Sequence, residues 1–89
     1  MGPMPQLDML LELLGRLGIP VRREPLGGGG GGLCTVRGQR VLFVDTSADE
    51  VTQTECCMRA LALVPEADVI YLPPALREAI ERIKQDMQA

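Results

Sequence analysis

Six consecutive glycines, Gly27–Gly32, interrupt a chain that is otherwise rich in leucine, valine and isoleucine. No run of this kind sits inside a stable helix, because each glycine loses the maximum backbone entropy on ordering and offers no side chain to pack. The run therefore divides the chain into Met1–Leu26 and Leu33–Ala89, and each side is read separately for its periodicity. The glycines allow three readings: a flexible strand-to-strand loop, a loop ordered by a partner or by sheet addition, and an anion or nucleotide site built from the amides of Gly28, Gly29, Gly30, Gly31 and Gly32. A P-loop would end in Lys-Ser or Lys-Thr, whereas this run ends in Leu33-Cys34. A dinucleotide site needs a helix after the glycines, and the next segment reads as a strand.

Before the run, Leu7, Leu10, Leu11, Leu14 and Leu17 recur at helical spacing, with Met9 and Leu13 widening the apolar sector. A helix over residues 5–17 is expected, with Pro5 in its first turn and Gly18 beyond its end. Ile19–Glu24 comes next as a strand, with Pro20 at its start or on an edge. After the run, Leu33–Val36 and Arg40–Asp45 predict a hairpin turning at Gly38-Gln39. Val41-Leu42-Phe43-Val44 is apolar on both faces, so this strand is expected at the centre of the sheet, covered by helices or by a partner chain.

Ser47 and Glu50 have the spacing of a capping box, which starts a helix carrying Val51, Thr54, Met58, Leu61 and Val64 on one stripe. Val64-Pro65 ends it. Asp68–Leu72 reads as a fourth strand. From Pro74 the stripe of Leu76, Ile80, Ile83 and Met87 predicts a last helix, with Glu78–Arg82 and Arg77–Glu81 as charge pairs. The expected fold is one small α+β domain over residues 1–89, two layers in the order α-β-β-β-α-β-α, with a mixed sheet covered by helices.

Composition removes several functions. At 89 residues and 46% hydrophobic the chain has material for one core. The net charge is −3: residues 1–44 carry five arginines against three carboxylates, and residues 45–89 carry four cations against nine. With one Tyr, one Phe and no Trp to stack on bases, this balance disfavours nucleic acid. No apolar run reaches the length of a membrane span and no cleavable leader is present, so a cytoplasmic location without membrane attachment is expected.

Histidine is absent, which removes Ser-His-Asp and Cys-His machinery and His-containing zinc sites. Cys34, Cys56 and Cys57 are odd in number and lack Cys-x-x-Cys spacing, so reduced thiols are expected, and neither a metal nor a cofactor. Asp45, Asp49 and Glu50 lie close enough in sequence to be weighed as a cation site, against their ordinary use in a turn and a helix start.

The order helix, strand, hairpin, helix over about residues 7–63, with Val36-Arg37-Gly38-Gln39-Arg40-Val41-Leu42-Phe43-Val44-Asp45 leading to Thr54-Glu55-Cys56-Cys57-Met58, resembles the ImmA/IrrE-type zinc metallopeptidases. In that family a hairpin precedes a His-Glu-x-x-His helix. Here Thr54 and Met58 occupy the histidine positions and only Glu55 matches. The resemblance implies a scaffold without peptidase chemistry.

The leading expectation is a non-catalytic protein-interaction or assembly subunit that binds itself as a dimer or another protein. Its expected surface is Leu7, Met9, Leu10, Leu11, Leu13 and Leu14. The alternatives are a thiol-based redox sensor or small enzyme using Cys34, and ligand binding at the glycines.

Overall fold

The computed structural model describes residues 7–29 and 31–88, so Gly30 and the expected helix start at Pro5 lie outside the described residues. The elements are α1 (Leu7–Arg16), β1 (Val21–Glu24), β2 (Gly31–Val36), β3 (Gln39–Asp45), α2 (Glu50–Leu63), a 3-10 helix (Pro65–Val69) and α3 (Pro74–Gln88). The three strands form one mixed sheet in the order β1-β3-β2, with β1 parallel and β2 antiparallel to β3. The chain is thus a small α+β domain, and the doubly apolar strand is the central one.

α1 ends in a Schellman motif: the Gly18 amide donates to the Gly15 carbonyl and the Ile19 amide to the Leu14 carbonyl, both at 3.0 Å. Leu10 and Leu14 are fully enclosed, and Leu7 and Leu13 nearly so. They pack in one cluster with Leu42 and Val44 of β3, Cys57, Met58 and Leu61 of α2, and Leu76 and Ile80 of α3. Complete burial of such side chains stabilises a domain by about 1.5 to 3 kcal/mol each.

Two expectations about α2 are corrected. Asp49, not Ser47, is the N-cap, and its Oδ1 accepts from the Thr52 amide at 2.8 Å. Ser47 is drawn away because its own amide donates to Asp45 Oδ1. Thr54, Met58, Leu61 and Val64 are buried as expected, but Val51 is half exposed, since its place in the first turn lies outside the cluster.

Asp68–Leu72 forms no strand. Pro65 opens a 3-10 turn, and α3 then fixes the segment beyond it: Arg77 Nη2 donates to the Ile70 carbonyl at 2.9 Å, while Lys84 Nζ sits 2.6 Å from Asp68. Those contacts also replace the expected charge pairs within α3, neither of which is among the ion pairs of the described residues. Buried Leu72 anchors the segment and leaves Val69 and Tyr71 exposed.

Asp49 is held below the usual carboxyl range by the Thr52 amide, Glu66 by its hydrogen bonds with Arg40, and Asp68 by Lys84. A lowered folded-state value means that the stabilisation is complete above the unfolded carboxyl range and is lost as pH falls through the folded one. The urea midpoint should therefore hold steady between about pH 7 and 5 and drop below about pH 4. Added salt should blunt the drop, because these groups are exposed. A midpoint unchanged down to about pH 3 would contradict these assignments.

Candidate functional site

The hairpin turn fixes what its two strands show to solvent. Val36 pairs with Gln39, so the turn residues are Arg37 and Gly38, with φ of +54° and +79°. Two positive φ values define a type I′ turn, and the expected Gly38-Gln39 turn is corrected by one residue. The Leu42 amide donates to the Pro20 carbonyl at 2.9 Å and the Thr46 amide to Glu24, so even-numbered residues of β3 direct their backbone groups toward β1. Leu33 is opposite Leu42 and Thr35 opposite Arg40. Both therefore turn their amide and carbonyl away from β3, to the free edge of the sheet.

The two edges differ in kind. β1 is short, begins after Pro20 and carries Arg22, Arg23 and Glu24, the features with which sheet edges resist pairing. β2 has six residues, Gly-Gly-Leu-Cys-Thr-Val, with neither a charge nor a proline. Beside it runs a groove of about 390 Å³ between β2, α2 and the end of α3. Leu63 and Met87 provide its exposed apolar wall; Glu55 and Arg59, one turn apart on α2, provide its charge. Neither Glu55 nor Arg59 forms an ion pair among the described residues.

The glycine run is only partly a loop. Gly27 and Gly28 bend the chain with φ of +88° and +92°, whereas Gly31 and Gly32 are already in β2, and Gly29, Gly31 and Gly32 line the groove. The run is held from outside by Asp45, which is fully buried and whose Oδ1 accepts from the amides of Leu26 and Ser47 at 2.8 Å each. A carboxylate of the chain itself thus takes the amide that leads into the glycines. Asp45 and Asp49 serve the loop and the helix cap, and no cluster of metal-ligating side chains exists among the described residues.

Cys34 is exposed on the face of the sheet opposite the helices, beside Val41, with Sγ 3.8 Å from the Gly32 carbonyl. Cys56 is half-buried and Cys57 buried on α2. Burial raises both thiols, Cys57 up to about 12, so both stay protonated at neutral pH. Thr54 and Met58 are buried, and Glu55 faces the groove.

The expected interaction surface on α1 is largely interior. Leu7, Leu10, Leu13 and Leu14 belong to the domain's own core, while Met9 and Leu11 are partly buried against it. The wide apolar sector is explained by contact with α2 on one side and β1 on the other. Of the uncovered apolar residues, Val36 lies on the outer face of the sheet, 44% exposed, near partly exposed Phe43, whose ring centre is 5.8 Å from Arg22. Both helices that touch the sheet cover the Leu42 and Val44 face, so within one chain the helices cover a single side of β3.

The sequence reading missed Leu33, Thr35, Glu55, Arg59, Leu63 and Met87 as a group. The turn composition Arg37-Gly38 carries the register that sets the Leu33 and Thr35 positions; the groove needs the α2 and α3 packing. No helix of the described residues is long and apolar enough to cross a membrane. No protein-family model, curated protein or solved structure matches the chain.

Proposed function

We propose that the chain is a non-catalytic interaction domain that takes an extended protein segment onto the free edge of β2. The observation that carries this reading is the contrast between the edges: one guarded by proline and charge, the other uncharged and opening on a groove. Strand addition gains main-chain hydrogen bonds from any sequence and specificity from side-chain pockets. Leu33 and Thr35 supply the main-chain groups, and the wall of Leu63 and Met87 supplies the apolar contact.

The test removes one hydrogen-bond donor. Thr35→Pro deletes an amide that points to solvent and leaves the ladder to β3 its bonds, as proline at an edge position allows. Affinity capture from the producing cell should recover a protein with the wild-type domain and with Arg22→Ser on the other edge, and lose it with Thr35→Pro. Equal recovery with all three baits would refute the edge as the binding surface.

A further inference from the structure

We propose that the occupant of this edge is a second copy of the chain, joined antiparallel through β2 about a two-fold axis at Cys34, an inference that rests on the edge reading above. Only residues whose backbone groups face outward can form hydrogen-bonded pairs across a new edge. In β2 those are the odd-numbered positions, Leu33 and Thr35 foremost, so the symmetric overlap of Leu33 with Cys34 is forbidden by parity. Of the allowed registers that avoid the irregular Gly31, whose φ is +86°, the one that engages both outward-facing residues within β2 pairs Leu33 with Thr35 of the second copy. Cys34 then faces Cys34 of the second copy in the close, non-hydrogen-bonded position, with α-carbons about 4.5 Å apart.

Three features of the surface match themselves in that register. Val36, 44% exposed, falls opposite Gly32 of the second copy, where the missing side chain leaves room for it beside Phe43, the β3 neighbour of Gly32. α2 packs on β2 and β3 alike, which sets its axis about 5 Å from the two-fold when strands are about 4.8 Å apart. The two copies of α2 are then about 10 Å apart and antiparallel, the ordinary distance for packed helices. Glu55 and Arg59 line the groove that opens on that gap, so each copy presents one carboxylate and one guanidinium to the other and the charge is complementary. Leu63 and Met87, 56% and 44% exposed, are covered in the same step.

The test uses the full chain. Diamide, which accepts the two electrons and two protons released when two thiols join, should yield a disulfide-linked dimer of the wild type and none of Cys34→Ser. Sedimentation should still show Cys34→Ser as a non-covalent dimer. Arg59→Glu should weaken that dimer about tenfold, and the double variant Glu55→Arg/Arg59→Glu should restore it, which keeps the proposal testable where Thr35→Pro does not fold. A chain that sediments as a monomer at high micromolar concentration, or a dimer that does not cross-link at Cys34, would overturn the second copy as occupant. Hydrogen exchange then separates the two readings. Leu33 and Thr35 amides protected in the complex with a captured protein leave the edge reading standing with a different occupant, and amides that exchange as fast in that complex as in the free chain overturn both.

Discussion

Replacing Leu14 by alanine should destabilise the domain by about 2 to 5 kcal/mol, the range for deleting a fully buried leucine side chain. Leu14 has no exposed surface, and its carbonyl receives the Ile19 amide in the turn that closes α1. Its neighbours come from several elements, so the space vacated cannot be filled by a shift of α1 alone. Leu11→Ala, at a partly buried position on the same helix, should cost well under half as much. Urea unfolding of both variants measures the difference. The wild-type-to-variant gap for Leu14 should be the same at two protein concentrations tenfold apart, since a core residue stabilises each copy independently of association. A gap that grew with concentration would place Leu14 at an interface after all.

The leucines of α1 show what a one-dimensional pattern leaves open. Helical spacing identified the apolar sector, and the sector is as wide as expected, but a wide sector is satisfied equally by a partner protein and by two neighbouring elements of the same chain. Deciding between them requires knowing that α1 lies against both β1 and α2. The α+β class, the central place of β3, the presence of α2, though not its cap at Asp49, and the helix beginning at Pro74 were legible because each rests on a local rule of periodicity or proline placement. Asp68–Leu72 was misread for the opposite reason. Its continuous apolar run, Val69-Ile70-Tyr71-Leu72, suits a strand, but the carbonyl of Ile70 is taken by Arg77 and the Asp68 carboxylate by Lys84, both from α3. Side chains thus hold in place a segment that local propensity would send to a sheet.

The edge of β2 was legible in part. Sheet addition is among the readings that six glycines allow, yet the sequence does not say which residues turn their backbone outward. That depends on a shift of one residue in the turn, because side-chain and backbone directions alternate with a period of two. The side-chain face does not depend on that shift: Cys34, as the partner of Val41, stands on the open face of the sheet, and Val36 is exposed there too.

Among the described glycines of the run, Gly31→Ala should be the most damaging change and Gly29→Ala one of the mildest. Gly31 has φ of +86°, and a Cβ built on it would lie 1.9 Å from the Phe43 carbonyl oxygen and 2.7 Å from the carbonyl carbon. Those atoms belong to the central strand, which cannot retreat without disturbing β1 on its other side. A left-handed residue with a side chain costs about 1 to 2 kcal/mol, and relief of the clash requires the first pair of β2 to separate. A loss of about 2 to 4 kcal/mol is expected, in the range reserved for strained or overpacked positions. Gly29 has no atom within 4 Å of its would-be Cβ and no positive φ. Alanine there removes freedom from the unfolded chain alone, so the variant should be unchanged or more stable by about 0.4 to 1 kcal/mol. Chemical unfolding of the pair against wild type reads the contrast, and amide exchange at Gly32, the partner of Phe43 whose backbone groups face β3, reports whether the start of β2 has opened. Equal stabilities for the two variants would mean that Gly31 is not bound into the sheet, and with it the edge that presents Leu33 and Thr35 would lose its anchored beginning.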